Sequence, residues 1–406
     1  MNILIVSQYF WPEDFRINDL AKDFIEKGHD VTILTGSPNY PEGRTFPEYK
    51  KDKESFQNYG QIKIYRLPVI PRGTNKILLA MNYISFVISG ILLAPFLLRK
   101  KSIDLIFVFE PSPITVCLPA ILIKSIKKAK LCLWVLDLWP QSLYAVGYIK
   151  KESFIIAISR YMVRYIYSKC DIILGTSNSF VNEIKKDCRP DQVVKFFPNW
   201  YESFYESDHP LPAAEIKEDN KNFNLIFAGN LGDAQDIPTV IKGMLILKKN
   251  KNIKLFIIGD GKRYKWIKGF IDQNNLNETV ILLGRFPSER MPGFFHHANA
   301  MVMSLKPHEV YDQTIPGKLQ SYLISKKPIL GLLGGESADI IKESNSGILS
   351  KPGDSISFAN SILKIYNLED SERHAIGING FKYAKKNYNK DTLFSNLNSW
   401  LIEIIN

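Results

Sequence analysis

The chain has few cysteines for its length of 406 residues, and no two of them are closely spaced. Its four cysteines include no Cys-x-x-Cys pair, which argues against a zinc ribbon or a disulfide-stapled secreted scaffold. We therefore expect reduced thiols, no bound metal and a cytoplasmic protein. The first residues also lack the basic segment and small-residue cleavage site of a secretory signal peptide.

Acidic residues are outnumbered, since 41 Asp and Glu face 52 Lys and Arg, giving a net charge of +11. Such an excess fits an anionic partner, for instance nucleotide phosphates or anionic lipid, but it also fits a lysine-rich solvated surface. No recognised nucleic-acid-binding module accompanies the charge, so nucleic acid is not an expected partner. With 45% hydrophobic and 23% charged residues, the chain is expected to fold, and its length suits two domains.

Short apolar runs alternate with amphipathic stretches in both halves of the chain. Strands are predicted at 3–6, 31–34, 62–67, 104–109, 131–136 and 171–174, and again at 225–228, 254–258, 280–283, 300–304 and 328–331. Such near-continuous apolar strands suit parallel sheets covered by helices on both faces. The pattern breaks at 202–222. We therefore predict an N-terminal domain of residues 1–203, a C-terminal domain of residues 204–385 and a terminal helical segment 386–406.

Residues 77–98 form an uncharged apolar stretch that nearly reaches the length of a membrane span. A true span would put the flanking strands on opposite sides of a membrane and split one α/β domain. Two interpretations stay open: a buried helix pair, or a monotopic helix lying in the membrane interface. Basic residues flank the stretch and recur further on, which favours an anionic surface in this half. They are Arg72, Lys76, Arg99, Lys100, Lys101, Lys124, Lys127, Lys128 and Lys130.

Three glycine-containing segments in the second half are candidate phosphate-binding turns. Residues 229–232 and 259–261 each follow a predicted strand, where backbone N–H groups and a helix start can approach an anion. Each also fits an ordinary tight connection. The segment Ile315-Pro316-Gly317-Lys318 is a stronger signal, because it places a cation and an unhindered N–H at a predicted helix start. A plain proline-initiated helix is the alternative there.

Two acids follow consecutive predicted strands in the first half. Glu110 follows strand 104–109, and Asp137 follows strand 131–136 within Asp137-Leu138-Trp139-Pro140. Ligands of open α/β sheets bind beyond the carboxyl ends of the strands. Either acid alone also fits a helix cap or a structural acceptor, but their joint placement favours a shared site.

Taken together and in order, these motifs resemble a known family. The chain is similar to the retaining GT-B glycosyltransferases of family 4, in particular the bacterial O-antigen and capsule enzymes and the predicted L-fucosamine transferases. The resemblance covers nearly the whole chain. It rests on an ordered set of segments: Ser7-Gln8-Tyr9-Phe10-Trp11-Pro12, Gly28-His29-Asp30-Val31, Asp137-Leu138-Trp139-Pro140, Phe197-Pro198-Asn199-Trp200, Gly229-Asn230-Leu231-Gly232, Gly259-Asp260-Gly261 and Ile315-Pro316-Gly317-Lys318.

The resemblance implies an α/β fold of two Rossmann-like domains (GT-B) with an interdomain cleft, and a final helix that packs back on the N-terminal domain. It implies transfer of a sugar, for instance an N-acetylated amino or deoxyamino hexose, from a UDP-sugar in surface-polysaccharide biosynthesis. No cofactor and no metal are expected. The implied acceptor is a saccharide or a polyprenyl-diphosphate-linked sugar. The protein would lie peripherally at the anionic inner face of a bacterial plasma membrane.

The same resemblance implies residue roles. Donor binding would fall to Asn230, Gly232, Gln235, Gly259, Gly261, Arg285, Gln313, Pro316, Gly317, Lys318 and Ser321. In the N-terminal domain the catalytic candidates are Asp137 and Glu110. Arg16 and Trp139 would contact acceptor or phosphate.

Some positions depart from the family pattern. Gln313 and Ser321 stand where the family has a Glu-x7-Glu pair, and Asn230 and Gln235 stand where many members have a diphosphate-binding Arg and Lys. Lys318 would therefore carry more of the charge. Two alternatives stay open: a UDP-sugar 2-epimerase, which has the same fold and needs no acceptor, and a non-catalytic sugar-nucleotide-binding subunit.

Overall fold

The chain divides into two compact units in a computed structural model that describes residues 1–145, 153–207 and 210–406. The first unit contains residues 1–197 and 394–406, and the second contains residues 198–393. The break in the sequence pattern at 202–222, of which 208 and 209 lie outside the described residues, falls near the start of the second unit.

The first unit is built on an eight-stranded sheet. Its strands are β1 (Asn2–Ser7), β2 (Asp30–Gly36), β3 (Asn58–Tyr59), β4 (Ile62–Leu67), β5 (Leu105–Glu110), β6 (Lys130–Val135), β7 (Ile172–Gly175) and β8 (Val193–Phe196). They lie in the order β3-β4-β2-β1-β5-β6-β7-β8. Neighbouring strands are parallel except for the short antiparallel pair of β3 with β4 at one edge.

Helices connect these strands and cover the sheet. They are α1 (Arg16–Glu26), α2 (Pro47–Lys51), α3 (Lys76–Leu97), α4 (Cys117–Lys127), α5 (Gln141–Ala145), α6 (Phe154–Lys169) and α7 (Asn178–Lys186). The chain leaves α1 through Gly28, whose φ of +79° is the left-handed conformation that glycine tolerates at a helix end.

The second unit is built on a six-stranded sheet whose neighbouring strands are all parallel. Its strands are β9 (Phe223–Ala228), β10 (Ile253–Ile258), β11 (Val280–Gly284), β12 (Ala300–Ser304), β13 (Ile329–Leu332) and β14 (Gly347–Ser350). They lie in the order β11-β10-β9-β12-β13-β14. The helices that follow are α8 (Ile237–Ile246), α9 (Tyr264–Asn274), α10 (Met291–His296), α11 (Glu309–Asp312), α12 (Lys318–Ile324), α13 (Gly335–Glu343), α14 (Ser355–Tyr366), α15 (Asp370–Asn387) and α16 (Lys390–Ile405).

The two faces of the first sheet carry different cores. One face is aliphatic and packs against α3, α4, α6 and α7. Because strand residues alternate between faces, the residues of β5 and β6 that point to the other face differ from these, and they include large aromatic side chains. There the ring of Phe107 lies 5.8 Å from that of Phe24, and the ring of Trp134 lies 5.0 Å from that of Phe197. Phe394 of α16 joins this cluster at 6.5 Å from Phe197, so the last helix completes the aromatic core.

The apolar stretch 77–98 forms one continuous helix, α3, so the predicted buried helix pair is wrong. Only a narrow stripe of it is buried, at Asn82, Phe86, Gly90 and Ala94. A Cβ on Gly90 would lie 2.6 Å from Pro119 Cγ, so this stripe packs closely on α4. By length and composition alone, α3 could cross a membrane.

Candidate functional site

The second sheet has a switch point between β9 and β12. The chain leaves β9 for β10 and β11 on one side, then returns to β12, β13 and β14 on the other. A crevice opens beyond the carboxyl ends of two strands that diverge in this way, and ligands of open α/β sheets bind there. The turn at 229–232 follows β9, and Ser304 is the last residue of β12.

Backbone hydrogen bonds join two glycine loops at this crevice, those at 229–232 and 259–261. The Gly229 N–H donates to the carbonyl of Ile258 at 2.9 Å, and the Leu231 N–H donates to that of Asp260 at 2.9 Å. Gly259 has a φ of +151°, and a Cβ on it would lie 1.9 Å from the Gly229 carbonyl oxygen. Gly261 has a φ of +157°, and a Cβ on it would lie 2.5 Å from Asn230 Oδ1. Glycine is therefore required at both predicted positions by conformation and by space.

Lys318, the first residue of α12, reaches the turn after β9. Its Nζ donates to Gln235 Oε1 at 2.5 Å and lies 4.1 Å from the centroid of the Phe227 ring. A Cβ on Gly229 would lie 3.4 Å from this Nζ. Burial lowers the pKa of Lys318 to about 7. Within the described part of the chain no carboxylate pairs with this lysine, so an anionic ligand is the group that would stabilise its charged form.

Gln235 ties the turn to the opposite side of the crevice. Its carbonyl accepts a hydrogen bond from Ser304 Oγ at the end of β12. The Lys306 N–H donates to the carbonyl of Ala234 at 2.9 Å, which fixes the same turn a second time. Gln235 therefore positions the Lys318 ammonium group relative to both central strands.

Sequence reasoning missed a cationic pair beside this turn. Lys262 and Arg263 follow the 259–261 glycine loop and pair with Asp233 at 2.8 and 2.5 Å. Hydrogen bonds from both cations hold the pKa of Asp233 below its ordinary value. Their position directly after a glycine loop was the available signal. They add positive charge beside the turn that contains Asp233 and Gln235.

The other predicted donor residues lie at varied positions around α12 and the outer strands. Pro316 and Gly317 directly precede α12, whereas Ser321 lies one turn inside it and is buried. Gln313 lies between α11 and α12. Gly232 begins the short turn that contains Gln235. Arg285 is exposed after the edge strand β11, two strands away from β9.

Two glycine substitutions test how far the close packing of the 259–261 loop contributes to stability. Gly259→Ala is expected to lower the free energy of unfolding by at least about 2 kcal/mol, because the new Cβ would clash with backbone at a strained φ. Gly317→Ala is the matched control: φ is −56° and its Cβ would meet no atom within 4 Å. Its stability should change by less than about 0.5 kcal/mol. Urea unfolding compares them, and equal stability would contradict the loop packing.

A second group of candidates lies at the switch point of the first sheet, between β1 and β5. Glu110, the last residue of β5, is fully buried, and neither carboxyl oxygen has a hydrogen-bond partner of ordinary geometry. Burial raises the pKa of Glu110 well above its ordinary value and the charge of Asp137 raises it further, against the effect of the Asp137 and Leu136 N–H groups. Burial therefore favours the neutral form of Glu110.

Asp137 follows β6, the strand next to β5. Burial raises the pKa of Asp137 to about 6, while hydrogen bonding to Ser112, Ser142 and Trp139 favours the charged form. The structure therefore brings together two carboxyl groups whose pKa values are both raised by burial, and two such coupled carboxyl groups can take separate acid and base roles. Arg16, the first residue of α1, begins the helix that follows β1 at the same switch point.

Two further side chains at this group were not predicted. Trp139 Nε1 donates to Ser112 Oγ at 3.2 Å, and Ser112 has a φ of +114°, which is rare outside glycine. Tyr83 of α3 also faces this group: burial raises its pKa, and Ser112, Asp137 and Glu110 are among the side chains that influence it. Ser112 lies in the loop two residues after Glu110, so its place follows from the end of β5. No sequence pattern marks Tyr83, because its place depends on how α3 packs.

Comparison with known proteins bears on the fold of both sheets and on the sequence of the second unit. Residues 212–383 match the family model described as Glycosyl transferases group 1. The probable glycosyltransferase WbjE of Pseudomonas aeruginosa is 24% identical over 262 residues, which is 62% of this chain and 65% of that protein. The match thus spans slightly less than two thirds of that relative.

Solved structures match over nearly the whole chain. Sucrose-phosphate synthase from Thermosynechococcus elongatus aligns with a TM-score of 0.77 at 13% identity, covering 99% of this chain and 98% of that one. Alr3699/HepE of Anabaena in complex with UDP aligns with a TM-score of 0.68 at 13% identity, covering 99% and 100%. The predicted fold class is confirmed: the chain has two Rossmann-like α/β domains of the GT-B type, and the second carries the sequence pattern of the group 1 glycosyl transferases.

Proposed function

We propose that this protein is a retaining glycosyltransferase that transfers a sugar from a UDP-sugar to a lipid-linked or saccharide acceptor in surface-polysaccharide biosynthesis. The observation that carries the proposal is the burial and position of Lys318. A desolvated cation, which pairs with no carboxylate among the residues that the structure describes, lies against a glycine turn at the switch point of the region that matches the group 1 family. HepE, a structural neighbour, was solved with UDP, which supports a uridine diphosphate donor.

On the donor side, the ammonium group of Lys318 and the N–H groups of the turn at 229–232 would hold the diphosphate. Negative charge builds on the leaving diphosphate as the bond between its oxygen and the anomeric carbon of the sugar breaks. A cation held in a low-dielectric site stabilises that charge more strongly than it would in water. Lys262 and Arg263 would add to the local positive potential, since their pairing with Asp233 leaves one cation in excess.

On the acceptor side, Asp137 would accept the proton of the acceptor hydroxyl group, whose oxygen bonds to the anomeric carbon on the face that the diphosphate leaves, as retention requires. Its pKa of about 6 leaves it ionised at neutral pH and still basic enough to take a proton. Burial and the charge of Asp137 both raise the pKa of Glu110, which disfavours a second buried negative charge beside Asp137. Trp139 and Arg16 would line the acceptor region, where an aromatic ring and a cation suit a sugar and a phosphate.

The acceptor we favour is a polyprenyl-diphosphate-linked sugar, and the location we propose is the cytoplasmic face of the plasma membrane, held peripherally. The exposed apolar face of α3 and its basic flanks support this choice. Tyr83, on the same helix, faces the Glu110 and Asp137 group. A lipid-linked sugar could therefore reach that group while its lipid stays in the bilayer.

The pH dependence of UDP binding tests the donor proposal. Above pH 7 the free site loses the Lys318 proton, whereas bound diphosphate favours its return. The dissociation constant should therefore rise between pH 7.5 and 9, by up to about tenfold per pH unit, with proton uptake on binding. UDP itself stays fully ionised in that range, since a terminal phosphate has a second pKa of about 6. Isothermal titration in buffers of different ionisation enthalpy measures both effects.

The free protein should show the matching linkage in its stability. Between about pH 7 and the ordinary lysine pKa, the unfolded chain holds a proton that folded Lys318 has released. The Lys318 contribution to the free energy of unfolding therefore rises with pH in that window. UDP binding that is independent of pH, or that releases protons, would contradict the role of Lys318.

A further inference from the structure

A second exposed apolar face on the first unit lies on α6. Phe154, Ile158, Tyr161 and Tyr165 recur at helical spacing, so they share one side of the helix. Phe154 is 78% exposed and Tyr161 is 77% exposed. The opposite side of α6 is its buried one, formed by Ile156, Ser159, Val163, Ile166 and Tyr167. The apolar stripe therefore adds nothing to the core of the unit.

The long helix α3 repeats this arrangement. Ile77, Met81, Ile84 and Ile88 recur at the same spacing and are exposed, Ile77 to 72%. Ile91, Leu92 and Phe96 extend the exposed apolar face along the helix. At about 1.5 Å per residue, α3 presents this face over a length of about 33 Å.

Both helices cover the same face of the first sheet, with α4 between them. α3 and α6 each pack on α4. Phe86 of α3 and Val163 of α6 belong to one aliphatic core cluster. Because each exposed stripe is opposite the buried side of its own helix, both stripes point away from that core. We call the exposed apolar side chains of α3 and α6 the docking surface.

The charged side chains that α3, α4 and α6 themselves contain are all basic. None of α3, α4 and α6 contains an aspartate or glutamate. Arg99, Lys100, Lys128 and Lys169 lie exposed just after or at the ends of these helices. The helices run back against the parallel strands, so this basic rim lies at the end of the sheet away from Glu110 and Asp137. An apolar face with a cationic rim complements anionic headgroups above a hydrocarbon layer.

The docking surface is also tied to the candidate acceptor site. Asn82 of α3 is fully buried, accepts from Gln8 Nε2 at 2.6 Å and Tyr9 Oη at 3.3 Å, and donates to the Ile70 carbonyl at 2.6 Å. Gln8 and Tyr9 follow β1 at the switch point. The depth of α3 in a bilayer would therefore fix the height of that site above the lipid.

We infer that α3 and α6 insert together, side by side, into the surface of an anionic bilayer. The inference deepens the proposed function, because it rests on the membrane location given there. Its new content is α6: a single helix would leave the unit free to rotate about the helix axis. Two helices separated by α4 define a plane and set one orientation of the Glu110 and Asp137 group relative to the lipid.

Co-sedimentation of the full chain with vesicles tests this inference. Vesicles of phosphatidylcholine with phosphatidylglycerol are compared with vesicles of phosphatidylcholine alone. The α6 variant Phe154→Ser/Ile158→Ser and the α3 variant Ile84→Ser/Ile88→Ser are each expected to weaken partitioning onto anionic vesicles by at least about tenfold. All four side chains are exposed, so the variants should fold normally, which circular dichroism checks.

Ile356→Ser on α14 is the matched control, since Ile356 is similarly exposed but lies in the second unit. It should partition like the wild type. Wild-type partitioning by the α6 variant would overturn the inference, whether or not the α3 variant loses binding. Wild-type partitioning by both variants would exclude the docking surface as the membrane contact. UDP titration of the wild type and the same variants distinguishes the two proposals. If the wild type failed to bind UDP, the donor proposal would be wrong, whereas the vesicle experiment would still test the membrane inference.

Discussion

Replacing Lys318 by alanine is expected to abolish measurable sugar transfer, lowering kcat/KM by about 10²–10³-fold or more. The cation lies where the leaving diphosphate would gain charge, and among the residues that the structure describes its polar partner is the neutral amide of Gln235. Removing a desolvated ammonium group also removes a burial cost, so the variant should fold at least as well as the wild type. Steady-state transfer and UDP titration measure the loss.

Lys327→Ala is the matched control for that substitution. Burial lowers the pKa of Lys327 as well, but its Nζ donates to the His296 carbonyl at 3.0 Å, beyond the other end of α12. Its transfer rate per folded molecule should stay near that of the wild type. If Lys318→Ala kept wild-type UDP affinity and transfer, the donor site would have to lie elsewhere.

Replacing Asp137 by asparagine is the second large expected effect. The amide keeps the shape of the side chain and its hydrogen bonding to Ser112 but cannot accept a proton, so transfer should fall by about 10²–10⁴-fold. UDP affinity should not change, because Asp137 belongs to the first unit. In the wild type, transfer should rise with pH through about 6 as Asp137 ionises. That rise should disappear in the variant.

Two further substitutions make the Asp137 result specific. Asp191→Asn changes an exposed aspartate of the same unit and should leave transfer unchanged. Glu110→Gln replaces a fully buried acid, whose pKa burial raises well above its ordinary value, by a neutral amide of the same shape, so the free energy of unfolding should change little. Transfer by Asp137→Asn at the wild-type rate would exclude Asp137 as the proton acceptor.

The strands of both sheets were largely readable from the sequence, because buried parallel strands are continuous apolar runs. The predicted strands 62–67 and 300–304 coincide with β4 and β12. The edge strands β8 and β14 were missed, since each is short and mixes polar with apolar residues. Periodicity carries little information for strands of this length at a sheet edge.

The site residues could be predicted from the sequence only where a glycine, a proline or an acid followed a strand. Lys318 was found because Pro316 and Gly317 mark the start of α12. Ser304 was missed because it looks like an ordinary strand end, although its hydroxyl fastens Gln235 across the crevice. The ionisation of the two acids was also beyond the sequence, since it follows from burial and from their mutual charge.

The long apolar stretch shows that composition does not predict which side of a helix is buried. Composition predicts that α3 is apolar all round, and only the packing of Gly90 on Pro119 and the hydrogen bonds of Asn82 reveal which side is buried. The exposed stripe of α6 left no comparable sign, because its apolar residues are interspersed with Arg160 and Arg164. Those arginines pair with Asp187, which shows that α6 has one polar flank.

The central claim is transfer of a sugar by the site centred on Lys318. The most direct measurement incubates the purified protein with a panel of labelled UDP-sugars and an extract of lipid-linked acceptors, then follows the label. We predict that label from one donor passes into the lipid fraction, and that Lys318→Ala stops it. Conversion of a donor to its epimer without acceptor would instead indicate a 2-epimerase, and tight UDP-sugar binding with no product from any donor would indicate a non-catalytic subunit. Either result would contradict the account.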